Sequence, residues 1–170
     1  MNLKSFIRDV KDFPKPGIVF KDVTPLFNDT EALKNAGQEL VQLVGDKPVD
    51  KVVGMESRGF IFAPMLAVAL KAGFVPVRKK GKLPFTTLSE TYGLEYGNDE
   101  MEIHSDAILP GEKVLVHDDV LATGGTAKAV CQLVERLGGE VVQCNFLINL
   151  EFLNGRKNLE GIEVASLLTY

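Results

Sequence analysis

Two adjacent carboxylates, Asp118 and Asp119, follow the apolar run Val114 to Val116 and stand two residues before Ala122-Thr123-Gly124-Gly125-Thr126. Burying unpaired carboxylates is costly, so this pair needs hydroxyls, a metal ion or cationic partners. The glycine pair lets main chain approach a ligand closely. Amides exposed at the start of a helix attract a phosphate, and the threonine hydroxyls are further donors. Carboxylates suited to hydroxyls, beside amides suited to a phosphate, describe a site for a ribose 5-phosphate. Alone, the Thr-Gly-Gly-Thr turn is compatible with an ordinary helix cap. An apolar strand, paired acids, a two-residue spacer and a Gly-rich helix entry in series are far more specific. The sequence has neither the GxxxxGK[ST] phosphate loop nor the GxGxxG dinucleotide turn. His117, just ahead of the acids, is assigned no role, since a lone strand histidine is more often a satisfied core residue.

A second anion station is Glu56-Ser57-Arg58-Gly59-Phe60, at the end of the run Val52 to Met55. A turn there offers main-chain amides and a guanidinium that binds phosphate oxygens in bidentate fashion. Arg78, Lys79, Lys80 and Lys82 form a cationic run on a chain of net charge −4. Such a run is commonly a solvated face, and here it is also placed to offset a polyanion. Glu95, between Leu94 and Tyr96, is an acid whose pKa rises if closure desolvates it, which suits proton exchange with a substrate. The competing reading is a surface charge on a hairpin. The segment Phe13 to Asp22 combines proline turns with an apolar plug at Ile18, Val19 and Phe20.

Elements able to hold these stations are visible in the periodicity. Leu3, Phe6, Ile7 and Val10 fall at helical spacing, so the first dozen residues predict a short amphipathic helix stopped by Pro14 and Pro16. A second helix, capped by Asp29 or Thr30, carries Leu33, Ala36, Leu40, Val41 and Val44 inward as far as Gly45. From Lys51 on, strands at Val52–Met55, Val75–Arg78, Val114–Val116, Val141–Leu150 and Val164–Leu168 accompany helices at Ile61–Ala72 and Thr126–Leu137. This alternation predicts an α/β fold, a central parallel sheet flanked by helices on both faces. Residues 79–108 lack helical period and alternate weakly near Thr91–Tyr96 and Glu100–Ile103. They are read as a β-rich flap over the site.

With 45% hydrophobic and 25% charged residues in 170, the chain reads as one globular domain. Its acidic balance argues against nonspecific nucleic-acid binding, which needs a basic face. Cys131 and Cys144, the two cysteines present, form no CxxC pair and suit a reducing compartment. Charges at Lys4, Arg8, Asp9, Lys11 and Asp12 interrupt any apolar leader, and no run approaches the ~18 apolar residues of a membrane span. A cytoplasmic protein without membrane or nucleic-acid partners is expected.

From about Phe13 to Tyr170 these motifs, in this order, resemble the type I phosphoribosyltransferases, and among them the enzymes of the adenine type. The resemblance implies a single domain over 1–170, with a hood at about 1–28 and the flap at about 79–108. It implies transfer from 5-phosphoribosyl 1-diphosphate (PRPP) to adenine, giving AMP and diphosphate. Asp118 and Asp119 would hold the ribose hydroxyls, and Ala122, Thr123, Gly124, Gly125 and Thr126 the 5′-phosphate. Glu56, Ser57, Arg58, Arg78, Lys79 and Lys82 would surround the diphosphate, with Arg78 able to reach a neighbouring subunit's site. The Val19 main chain would read adenine, Phe20 and Val120 would cover the ring, and Lys21 would lie beside them. Leu94-Glu95-Tyr96-Gly97 matches the family's flap motif and makes Glu95 the acid/base at the purine N7. Mg²⁺ would enter on the substrate, with no protein ligand named, and the chain would form a homodimer. His117 departs from the aliphatic residue usual at its place. Two rivals stay open: a phosphoribosyltransferase for a 6-oxopurine (hypoxanthine, guanine or xanthine), and a PRPP-sensing regulator without turnover.

Overall fold

The computed structural model describes residues 1–93 and 98–170. The chain divides into two compact units, Met1–Glu39 and Leu40–Tyr170. In the first unit the expected N-terminal helix is only a 3-10 turn, Leu3–Phe6, followed by strand β1 (Arg8–Lys11). β1 pairs antiparallel with β2 (Val19–Asp22), from Arg8 opposite Asp22 to Lys11 opposite Val19. A helix this short is marginal without tertiary support, whereas the hairpin satisfies its main chain and gains cross-strand contacts. Lys21 Nζ lies 2.6 Å from Asp9 Oδ1, Arg8 pairs with Asp22, and Phe13 meets Phe20 edge to face at 5.3 Å. Asp12 Oδ1 accepts the Gly17 N–H across the turn at 2.7 Å. Helix α1 (Thr24–Asn28) was not expected from sequence. Helix α2 (Thr30–Val44) opens where Asp29 Oδ1 accepts the Ala32 N–H, as its capping residues predicted.

The second unit bears out the central parallel sheet. Its elements are β3 (Lys51–Met55), α3 (Gly59–Leu70), β4 (Gly73–Lys79), β5 (Thr87–Gly93), β6 (Asn98–His104), β7 (Lys113–Leu121), α4 (Gly125–Arg136), β8 (Glu140–Asn149) and β9 (Val164–Thr169). Sheet order is β5-β6-β4-β3-β7-β8-β9. The strands from β4 to β9 run parallel, and the flap residues add an antiparallel hairpin at the β4 edge. Val53, Met55, Val114, Val116, Cys144 and Phe146 face one side, in a cluster with Ala127, Val130, Leu133 and Val134 of α4. Gly54 faces the other side, where a methyl group would lie 2.7 Å from Ala63 of α3. The two helices therefore cover opposite faces of the sheet, and α3 closes onto β3 only because residue 54 has no side chain.

One strand boundary differs in a way that matters. The apolar run ends at Val116, but β7 continues to Leu121, paired with β8 as far as Leu121 opposite Asn149. The acids therefore sit inside the strand's last turns of pleat, not beyond it. Backbone pairing, unlike side-chain polarity, does not stop at a charged residue.

His117 proves to be a core residue. It is fully buried, with Nδ1 2.6 Å from Asn145 Oδ1 on β8, while Asn145 Nδ2 donates to Leu40 O at 3.0 Å. Because Asn145 Oδ1 can only accept, Nδ1 carries the proton. The Phe62 ring lies edge to face at 6.2 Å. Burial outweighs the Asn145 hydrogen bonds and holds the His117 pKa down at about 4. A histidine that titrates lower when folded favours unfolding as acid protonates the unfolded chain first. Stability contributed at this site is thus complete above about pH 6.5 and falls by about 3 kcal/mol as pH drops toward 4. Urea unfolding at pH 7 and pH 4.5 should show His117→Leu losing less stability between the two than the parent chain. Equal losses would mean that the imidazole does not titrate in that window.

Candidate active site

The end of β7 forms the floor of the site. Asp119 is almost fully buried and its Oδ2 lies 2.7 Å from Arg58 Nε. Asp118 Oδ1 accepts the Asp119 main-chain N–H at 2.9 Å. Burial pushes the Asp118 carboxyl well above its usual range, and the adjacent Asp119 charge adds to this. Burial also raises Asp119, while the Arg58 guanidinium opposes the shift. Two acids so placed hold a proton more readily than exposed ones and are poised to take hydroxyl or cationic partners. The close approach of α3 is what brings Arg58 here. A methyl group on Gly59 would lie 2.9 Å from His117 O and 3.0 Å from Asp118 Oδ1.

Beyond Leu121 the chain turns through Ala122 and Thr123 into α4. Gly124 occupies the left-handed region at φ 82°, which a residue with a side chain enters only at a cost, and its carbonyl accepts Lys128 N–H at 2.9 Å. An open cleft lies between this turn and the strand end, lined by Asp118, Val120, Ala122, Thr123, Gly124 and Thr126. Asp118 and the Gly-rich helix entry thus share one concavity, with Asp119 the next residue of β7.

Glu56 follows β3 and draws the cationic run toward it. Its Oε1 lies 3.2 Å from Arg78 Nη2 and 2.5 Å from Lys82 Nζ, and its Oε2 accepts the Lys79 N–H at 3.0 Å. Burial alone would raise the Glu56 carboxyl, but Lys82, the Lys79 amide and Arg78 together hold it down at about 2. Glu56 is therefore an anchor for the cations; as an anion it does not itself attract diphosphate. Arg78 and Lys82 keep part of their surface open, at 35% and 49%. Lys79 behaves differently from its neighbours. Its ammonium turns to the flap stem and pairs with Asp99, which also accepts the Tyr92 hydroxyl at 3.1 Å. Lys80 pairs with Glu100 in the same stem. Ser57 is exposed on the turn.

Val19, Phe20 and Lys21 all lie on β2 within the N-terminal unit, Lys21 bound to Asp9 as described. Glu95, with Leu94, Tyr96 and Gly97, lies outside the described residues. The strands on either side are paired up to Gly93 opposite Asn98.

Residues 26–160 match the model of the phosphoribosyl transferase domain. The chain is 59% identical over 170 residues to the adenine phosphoribosyltransferase of Flavobacterium johnsoniae, covering all of both proteins. Among solved structures, that of the Rhodothermus marinus adenine phosphoribosyltransferase is 57% identical with a TM-score of 0.94, over 99% of this chain and 96% of that one. The Thermoanaerobacter pseudethanolicus structure is 49% identical with a TM-score of 0.97, over 99% and 98%. Full-length likeness at this level, together with Asp118 and the Gly-rich helix entry in one cleft, places the chain in the phosphoribosyl transferase family, among the adenine phosphoribosyltransferases.

Proposed function

We propose that the β7 cleft binds PRPP and that the chain transfers its 5-phosphoribosyl group to adenine, releasing diphosphate and yielding AMP, a purine-salvage reaction. The observation that carries this reading is the Arg58–Asp119 pair, 2.7 Å apart, which joins the turn after β3 to the acids of β7. A ribose held by Asp118 and Asp119 then has its 5′-phosphate toward Ala122–Thr126 and its diphosphate toward the Glu56–Arg58 turn. Ser57 and Arg58 bind the diphosphate, with Arg78 and Lys82 presented by Glu56. Lys79 contributes its charge from the flap stem. Val19, Phe20 and Lys21 of β2 and Val120 of β7 serve the base, on the strength of their sequence match to the family.

As the diphosphate departs, positive charge develops at the ribose C1. The two aspartates stabilise that charge while the cations stabilise the leaving group, so the protein's work is positioning and electrostatics. Glu95 exchanges the proton at the purine N7. Mg²⁺ would be held mainly through PRPP, beside the Asp118 and Asp119 carboxylates, and would supply positive charge against the diphosphate.

Steady-state assays with adenine, hypoxanthine, guanine and xanthine should show AMP formation favoured by at least about 100-fold, the scale on which a site reading hydrogen-bond donors rejects a mismatched edge. EDTA should abolish turnover and Mg²⁺ restore it. Preference for a 6-oxopurine would overturn the base assignment.

A homodimer in the cytoplasm is part of the same reading. The segment GFIFAPMLAVAL of α3 is apolar on every side, yet Val68 is 81% exposed and Met65 39%. A face of that kind asks for a partner. Val68→Asp should convert a dimer to a monomer by light scattering; a parent chain that is already monomeric would refute the dimer. Cys131 and Cys144, both buried, lie with their sulfurs 3.4 Å apart as free thiols, in keeping with a reducing compartment. Among the described residues no helix is long and apolar enough to cross a membrane.

A further inference from the structure

The outer wall of the Gly-rich loop comes from a segment to which the reaction scheme gives no part. After β8 the chain passes through two 3-10 turns, Glu151–Leu153 and Gly155–Leu159. Gly155 lies so close to the loop that a methyl group there would be 2.2 Å from Ala122 O. One on Gly124 would be 2.4 Å from Gly155 O. Asn158 Nδ2 donates to Thr123 O at 2.7 Å. The segment is itself held at both ends: Leu150 N–H donates to Leu121 O, Leu159 is buried in the core, and Arg156 donates to Val164 O at 2.8 Å.

The direction of these contacts has a chemical consequence. In a trans peptide the C=O and the following N–H point opposite ways. Carbonyls of Ala122 and Thr123 turned toward Gly155 and Asn158 therefore turn the N–H groups of Thr123 and Gly124 away from them. We infer that Gly155 and Asn158 are positioning residues for phosphate binding, fixing those two amides toward the cleft before ligand arrives. The inference rests on the reading that Ala122–Thr126 receives the 5′-phosphate. A loop already ordered binds its anion without the entropy cost of ordering it. This benefit is equal in ground and transition states, so it appears in affinity and not in kcat.

The test is Asn158→Ala, with D-ribose 5-phosphate as the binding probe. Its Kd, and the KM for PRPP, should rise about 5- to 10-fold, the worth of one lost hydrogen bond, while kcat stays within about twofold. Asn158→Asp, which keeps the shape but loses the donor, should lose at least as much. Unchanged ribose 5-phosphate affinity in both variants, with or without a lower Tm, would show a merely structural wall and overturn the inference. Thr126→Val separates this failure from failure of the reading beneath it. If Thr126→Val weakens the probe and the Asn158 variants do not, only the positioning role falls. If none of the three weakens it, the phosphate assignment of the loop falls as well.

Discussion

Glu95→Gln is expected to lower kcat by about 100-fold or more while changing the Kd of PRPP by less than about threefold, the signature of a lost general acid/base. Glutamine keeps the size and the hydrogen-bonding reach of the side chain but does not exchange a proton with the purine. The substitution leaves the anion stations untouched, since Asp118, Asp119, Arg58 and the loop into α4 lie on other elements. Flap architecture should also survive. The stem is held by Tyr92 and Lys79 on Asp99, by Lys80 on Glu100, and by Arg136 of α4 on Glu90 at 2.8 Å. Single-turnover measurement beside equilibrium binding of PRPP gives both quantities. Equal loss in rate and affinity would remove the acid/base role and indicate a misplaced flap.

Asp118→Asn and Asp119→Asn should do the opposite, weakening PRPP by about 10- to 100-fold each, because a charge-assisted hydrogen bond contributes about 1.5–3 kcal/mol. Asp119→Asn also releases Arg58 from its ion pair, so its loss should be the larger. Stability should move the other way. Burial raises both carboxyls, and the Asp119 charge raises Asp118 further, so a neutral amide of the same shape relieves a cost that the fold carries, less so at Asp119, where Arg58 offsets part of it. A rise in Tm together with lost PRPP affinity is the expected pair of results, read by thermal unfolding and calorimetric titration. If neither variant loses affinity, the ribose is not held at β7.

Both predictions concern residues that stand out in sequence, and the fold shows why some stations are legible there and others are not. The strand, acid pair and Gly-rich helix entry lie within Val114–Thr126, so their mutual placement is set by a short stretch of backbone. Periodicity found the parallel strands because β3, β7 and β8 each carry an apolar run buried on both faces, and capping found the start of α2. It failed at Leu3–Val10, where helical spacing and a short hairpin strand share the same apolar positions and cross-strand partners at Val19–Asp22 decided between them. It also ended β7 too early, because side-chain polarity marks where a core stops and not where backbone pairing stops.

By itself the sequence determined the class of chemistry at Asp118–Thr126, since carboxylates, amides and glycine flexibility are properties of residue type and local order. Tertiary structure alone decided what meets that motif from a distance. Arg58 reaches Asp119 because Gly54 and Gly59 let α3 close onto the sheet. Glu56, expected around the diphosphate, proves to be the anchor of Arg78 and Lys82, while the Lys79 ammonium is committed to the flap stem. Asn158 meets Thr123 across 35 residues, and His117, without a role in sequence, is tied to Asn145 across 28. Such pairings depend on strand order and helix approach, which no local spacing encodes.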